Sequence, residues 1–158
     1  YYNDLEATAR VLSDDGWFRT GDLGTYDKDG YLFIKGRAKT MILGPSGENI
    51  YPETIEAIIN STEFVEESLV VAREGNKLIA LVQLNYERLK TQFHSVADGV
   101  SDLKDKAGEV LAGLQKEVNK KLAAFSKITT FVEQEEPFVK TPTKKIKRYL
   151  YEKSQFPK

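Results

Sequence analysis

The sequence predicts an α+β fold: a small three-stranded sheet covered by helices, with a β-hairpin before it. Two patterns carry this. Aliphatic and β-branched residues run together in short segments at 68–72 (SLVVA), 78–84 (LIALVQL) and 127–132 (KITTFV), which is how strands with a buried face read. Elsewhere apolar residues recur at three- and four-residue spacing, the period of a helix. Strands and helices alternate irregularly, which points to α+β rather than a regular parallel array.

The elements follow in order. Residues 16–43 read as short strands. GWFRTGDLGTY and YLFIKGR flank Asp27-Lys28-Asp29-Gly30, an acidic turn ending in Gly, and so form a hairpin. Met41-Ile42-Leu43 is a further short apolar strand, and Gly44-Pro45-Ser46-Gly47 breaks regular structure. A helix starts at Pro52, where a missing N–H does no harm. Glu53 and Glu56 suit the positive end of its dipole, and Ile55, Ile58 and Ile59 make one apolar stripe. Tyr51 is a poor cap. The segments SLVVA and LIALVQL pair across Glu74-Gly75-Asn76-Lys77, with Gly-Asn as a two-residue turn.

The period then changes. Tyr86, Leu89, Phe93 and Val96 recur at helical spacing, and after a break at Ala97-Asp98-Gly99 a longer stripe runs from Leu103 through Ala107, Val110, Leu111, Leu114 and Val118 to Leu122. Gly108 and Gly113 weaken that helix by about 1 kcal/mol each relative to Ala. KITTFV is the third strand. Thr143–Lys153 closes the chain as a short basic helix after Pro142.

Composition excludes several chemistries. The 158 residues hold no cysteine, so disulfides, thiolate metal sites and a cysteine nucleophile are out. A single histidine excludes a histidine metal cluster. The formal charge of −1 does not suit a nucleic-acid binder. No apolar run is long enough to cross a membrane, and the acidic opening YYNDLEATARVL does not read as a signal peptide. With no initial Met, the chain is expected to be cut from something longer.

Three local features bear on chemistry. Asp22, in Arg19-Thr20-Gly21-Asp22, can accept hydrogen bonds from vicinal hydroxyls such as those of a ribose; alone, it reads rather as a turn residue bonding its own backbone. Gly44-Pro45-Ser46-Gly47-Glu48-Asn49 is a glycine loop that lets backbone approach a ligand. It lacks the signature of a phosphate loop or a dinucleotide fold, so alone it reads as a structural turn. Lys140-Thr141-Pro142-Thr143-Lys144-Lys145-Ile146-Lys147-Arg148 places five cations in nine residues. Such a run attracts phosphates or carboxylates, or is a solvated helix end or a nucleic-acid patch; without a basic balance overall it leans towards the solvated face. His94, beside Phe93, has no visible partner set for acid–base work and reads as a surface or packing residue.

In this order, GWFRTGDLG, then IKGRAKTMILGPSGENIYPETIE, then FVKTPTKKIKRYLY resemble the end of the adenylate-forming enzymes. That superfamily includes acyl-CoA synthetases, adenylation domains of peptide synthetases and beetle luciferases. The likeness is tight over about residues 16–59 and again near 138–149, and loose between. GENIYPE and KKIKR look most like bacterial long-chain fatty acid–CoA ligases.

The resemblance implies a large N-terminal adenylation domain ending at residue 38 and a C-terminal lid over 39–158, the hairpin being a remnant of the large domain. The fragment would hold half an active site and be inactive alone. The implied reaction joins a carboxylate to ATP with Mg²⁺, giving acyl-adenylate and pyrophosphate, then passes the acyl group to coenzyme A. Fatty acid, ATP and CoA are thus the implied partners, shared with the missing domain. None is expected to bind this fragment tightly, and no metal site or nucleic-acid partner is expected here. The implied location is cytoplasmic, with peripheral membrane contact open for the parent.

By the same resemblance Asp22 and Arg37 hold the ribose of ATP. Lys39 is the hinge. Gly44, Gly47, Glu48 and Asn49 line the tunnel for the CoA arm in a second lid orientation. Lys145 is the adenylation lysine, aligned on Ile146 and Arg148; the residue before it is usually Gly in the family and is Lys144 here. Two alternatives stand: the lid of an adenylating enzyme with another acyl acceptor, or a phosphate- or nucleic-acid-binding module using the basic C-terminus.

Overall fold

The computed structural model describes residues 1–93 and 100–152. His94, Val96 and the Ala97-Asp98-Gly99 break lie outside the described residues, as does the side chain of Leu103. The chain divides into two compact units, Tyr1–Thr40 and Met41–Lys158.

The first unit opens with helix α1 (Leu5–Val11), which the hydrophobic pattern did not predict because none of its residues is buried. Its signal was the cap: Asp4 accepts the Ala7 N–H at 2.7 Å. Strands β1 (Asp22–Tyr26) and β2 (Leu32–Arg37) then pair antiparallel, from Asp22↔Arg37 to Tyr26↔Leu32. The acidic turn between them is built as predicted. Asp27 Oδ1 accepts the N–H groups of Asp29 and Tyr31, each at 2.9 Å, and Gly30 takes a φ of 85°. Leu32, Phe33 and Ile34 are consecutive and all exposed, so neither face of the hairpin is covered within its unit.

The second unit begins with a small hairpin of β3 (Ile42–Leu43) and β4 (Asn49–Ile50). Helix α2 (Pro52–Asn60) starts at the predicted proline, and Tyr51 makes no side-chain cap bond. Strands β5 (Val65–Arg73) and β6 (Lys77–Leu84) pair antiparallel, and β7 (Ile128–Glu133) joins the other side of β6 in parallel. The three-stranded sheet and flanking helices confirm the predicted α+β class. The turn after β5 has three residues rather than two. Arg73 pairs with Lys77, while Gly75 and Asn76 both take positive φ, 72° and 57°.

Helices α3 (Tyr86–Phe93) and α4 (Val100–Lys121) lie in the connection from β6 to β7. The α4 stripe behaves as predicted: Ala107, Leu111, Leu114 and Val118 are buried with Ile55 and Ile59 of α2. Because β6 is central, it is buried on both faces. Leu78, Ala80, Val82 and Leu84 join that helix-covered core, while Leu81 joins Leu69, Val71 and Phe138 on the opposite face. Tyr86 ties α3 to the end of β7 through a hydrogen bond to Glu133. Burial, then that carboxylate, pushes its phenol up to about 12, so it remains a donor.

One prediction is corrected. The predicted Thr143–Lys153 helix does not form over its described residues, 143–152. They form a return loop bridged at Lys140↔Ile146, and only α5 (Tyr149–Glu152) is helical. Pro142 sits second in a turn whose Thr141 carbonyl accepts the Lys144 N–H at 2.9 Å, and the Lys145 carbonyl accepts the Thr141 N–H at 2.8 Å. Those cross-loop bonds occupy the groups a helix would need, and Lys144 at φ 61° lies outside the right-handed helical region.

Candidate functional site

Within the first unit, the ladder places Asp22 directly opposite Arg37. Arg37 Nε meets Asp22 Oδ1 at 2.8 Å, and Arg37 Nη1 donates to the Thr20 carbonyl at 3.1 Å. Gly21 makes the approach to β1 possible at φ 75°, and its carbonyl accepts the Ala38 N–H at 2.9 Å. The result is an acceptor and a cationic fork side by side, bordering a cavity of about 790 Å³ that Phe18, Arg19, Thr20 and Thr40 also line. Both side chains are substantially exposed, so the pair contributes little to stability. It suits a polar ligand with hydroxyl and anionic groups. Lys39 is exposed in the turn after β2.

In the second unit, Gly44–Asn49 forms the tip of the β3–β4 hairpin. The Gly44 N–H donates to the Glu48 carbonyl at 2.8 Å, and the Ser46 N–H to Glu48 Oε2 at 3.1 Å. Gly44 is buried, and a Cβ there would fall 2.8 Å from Glu48 Oε2. Gly47 is different: its φ is 88° and a Cβ would meet nothing, so conformation alone demands glycine and the tip has open space beside it. Glu48 is therefore partly committed to holding the loop.

Lys145 is exposed on the arm returning from the Pro142 turn, and its N–H donates to Thr141 Oγ1 at 3.1 Å. Among the described residues no carboxylate lies within ion-pair distance of its ammonium, whereas Lys140 is held by Glu67 at 2.8 Å. Arg148 turns the other way. Its guanidinium bonds Glu56 and reaches the Val70 carbonyl at 3.3 Å, with Glu53 Oε1 at 3.9 Å. The other Glu56 oxygen accepts the Val70 N–H at 2.7 Å.

Sequence reasoning gave Glu56 only a dipole role and Arg148 only a place in the motif. A signal existed: Glu56 follows Ile55 and sits four residues after Pro52, so it falls on the buried side of α2. An acid there requires a partner.

A family model described as the AMP-binding enzyme C-terminal domain matches residues 39–155. The chain belongs to that family. It is 52% identical over 73 residues to an indoleacetate–CoA ligase of Aromatoleum aromaticum, covering 46% of this chain and 14% of the relative. It is 48% identical over 77 residues to a long-chain-fatty-acid–CoA ligase of Mycobacterium tuberculosis, covering 49% and 15%. In structure it resembles the o-succinylbenzoate CoA synthetase of Bacillus subtilis in complex with an acyl-adenylate intermediate. The TM-score there is 0.69 at 26% identity, covering 98% of this chain and 28% of that one. The chain thus spans a small part of these relatives' own length. They act on different acids, and no single substrate class stands out.

For this AMP-binding C-terminal domain, Lys144 has a physical account. It occupies the left-handed position following a proline turn, where glycine fits without strain. The left-handed conformation costs an L-residue about 1–2 kcal/mol, and glycine's greater freedom when unfolded offsets about 0.5–1 kcal/mol of any relief. Lys144→Gly is therefore expected to stabilise the chain by about 0.5–1 kcal/mol in a urea melt; a loss of stability would contradict this account of the turn.

Glu56 gives a pH signature. Burial raises its carboxyl above the ordinary 4.5, against the downward pull of Arg148 and the Val70 N–H. Between 4.5 and the raised value, the folded chain holds a proton that the unfolded chain releases. The stability this group contributes is therefore greatest below 4.5 and falls as pH rises through the folded value. Relative to Glu56→Gln, the wild type should lose unfolding free energy as pH rises above 4.5. A difference that stays flat, or grows with pH, would contradict the shift.

Among the described residues no cluster of three or more His, Asp or Glu is arranged to hold a metal ion, and no helix is long and apolar enough to cross a membrane.

Proposed function

We propose that this chain is the C-terminal lid, with the last piece of the large domain, of an ATP-dependent acyl-CoA ligase acting on long-chain fatty acids. The observation that carries the reading is the pairing of a family match over 39–155 with an exposed Lys145 on a braced turn, its ammonium uncommitted to any carboxylate among the described residues. Residues 1–38 would belong to the large domain. In support, the aliphatic residues of their hairpin are uncovered on both faces, and a two-stranded hairpin is marginal by itself.

In this reading Asp22 accepts from the ribose hydroxyls of ATP, and Arg37 reaches the same sugar. Lys145 brings its ammonium between the attacking carboxylate and the α-phosphate. There it stabilises charge that redistributes as phosphorus becomes five-coordinate. Lys39 then serves as the hinge, so that the Gly44–Asn49 tip replaces Lys145 and lines the path of the CoA arm. Support for Gly47 is the open space beside its backbone. Mg²⁺ would enter with ATP, and we assign it no ligand from this chain. The fragment alone would bind ATP and CoA weakly, without a nucleic-acid partner. The parent would work in the cytoplasm or at the face of a membrane.

Support for a long-chain fatty acid comes from the GENIYPE and KKIKR runs and from the likeness to the mycobacterial ligase. The test is an acid panel with the full-length parent, following pyrophosphate release and then AMP release. Turnover greatest with long-chain fatty acids supports the assignment. Turnover confined to aryl or short acids overturns it while leaving the adenylating role intact, and pyrophosphate release without CoA-dependent AMP release would point to another acyl acceptor.

A further inference from the structure

The stretch that carries Lys145 is fastened at two points behind its turn. We propose that Glu56, Arg148 and Tyr151 form a clamp that sets where the Lys145 ammonium is presented, making them positioning residues for acyl-adenylate formation. This rests on the reading of Lys145 as the adenylation lysine.

The first fastening lies three residues after Lys145. The Arg148 guanidinium is largely enclosed and bonds the Glu56 carboxylate on α2. Both groups also grip one residue of the open edge of the sheet: Glu56 accepts the Val70 N–H at 2.7 Å, and Arg148 donates to the Val70 carbonyl at 3.3 Å. Strand β5 has β6 on only one side, so these are the outward backbone groups of an edge strand, paired by side chains instead of by another strand. The second fastening closes the base of the loop. Tyr151 Oη accepts the Val139 N–H at 2.9 Å, and its ring meets Phe138 edge-on with centroids 5.2 Å apart. The Lys147 N–H donates to the Val139 carbonyl at 2.9 Å, which joins the two arms.

The turn at Thr141–Lys144 therefore projects from a base fixed to α2, β5 and α5. Among the described residues Lys145 has no carboxylate within ion-pair distance to hold its ammonium, so the backbone determines where the side chain starts. Electrostatic stabilisation of a transition state depends on that placement, and a misplacement of about 1 Å can cost roughly 10²-fold in rate. Thioester formation, in which Lys145 has no part, does not depend on the clamp.

The test uses the full-length parent with Arg148→Lys and Tyr151→Phe. Lysine keeps the charge but loses the fork that spans Glu56 and Val70; phenylalanine keeps the ring against Phe138 and removes the hydroxyl that accepts the Val139 N–H. Pyrophosphate release reports adenylation, and thioester formation from supplied acyl-adenylate and CoA reports the second half-reaction. Arg148→Lys is expected to lower kcat for adenylation about ten-fold or more, Tyr151→Phe by a smaller factor, with KM for ATP and the second half-reaction nearly unchanged. Thermal unfolding accompanies each variant, and Tyr151→Phe decides the matter if Arg148→Lys melts below the assay temperature. Unchanged adenylation, or equal loss in both half-reactions in a folded variant, overturns the clamp. Lys145→Ala in the same series separates the two ideas. Adenylation that survives Lys145→Ala overturns the lysine assignment and the clamp together, whereas adenylation lost in Lys145→Ala but kept in the clamp variants overturns the clamp alone.

Discussion

Lys145→Ala in the full-length parent is expected to slow acyl-adenylate formation by about 10²–10³-fold, the usual effect of removing one placed electrostatic donor. Lys144→Ala provides the internal comparison. Both lysines are exposed, but Lys144 occupies the left-handed turn position and Lys145 the arm that pairs back to Thr141. If the motif is aligned correctly, Lys144→Ala leaves adenylation within a few-fold of wild type. Pyrophosphate release in single-turnover conditions measures both. Loss on removing Lys144, with Lys145→Ala unaffected, would move the role by one residue and contradict the assignment.

The second large effect is on stability. Arg148→Ala removes one member of a pair whose side chains are only 19% and 11% exposed, leaving the Glu56 carboxylate buried with the Val70 N–H as its remaining hydrogen-bond donor. Breaking such a pair from one side typically costs about 3–5 kcal/mol, because an uncompensated charge remains. The Lys121–Glu117 pair on α4 is a useful contrast. Its side chains are 51% and 60% exposed, and Lys121→Ala should change stability by less than about 1 kcal/mol. Urea unfolding of the chain checks both. Similar small changes in the two variants would show that solvent already compensates Glu56, against the buried geometry.

Much of the fold was legible in the sequence because its periodic signals are strong. The isoleucines of α2, the α4 stripe and the three apolar strands all sit where their spacing put them. The central strand read as an unbroken apolar run because β6 is buried on both faces. Gly108 and Gly113 do not break α4: packing of Ala107, Leu111, Leu114 and Val118 outweighs their weak propensity.

What was hidden lacks periodicity. Helix α1 buries none of its residues, so only Asp4 marked it. Thr143–Lys153 reads as a basic helix because charge density says nothing about backbone; the Pro142 turn and the left-handed Lys144 decide it. Asp22 and Arg37, drawn from the family motif, stand opposite one another in the ladder. The Glu56–Arg148 contact spans 92 positions, and local spacing carries no trace of such a pairing.

In the proposed reaction one lysine serves one half of a two-step sequence and is absent from the other. The most direct measurement takes a single preparation of the Lys145→Ala parent and compares acyl-adenylate formation from acid and ATP with thioester formation from supplied acyl-adenylate and CoA. The first is expected to be nearly abolished and the second close to wild type. Equal loss in both, or an intact first step, would contradict that role for Lys145.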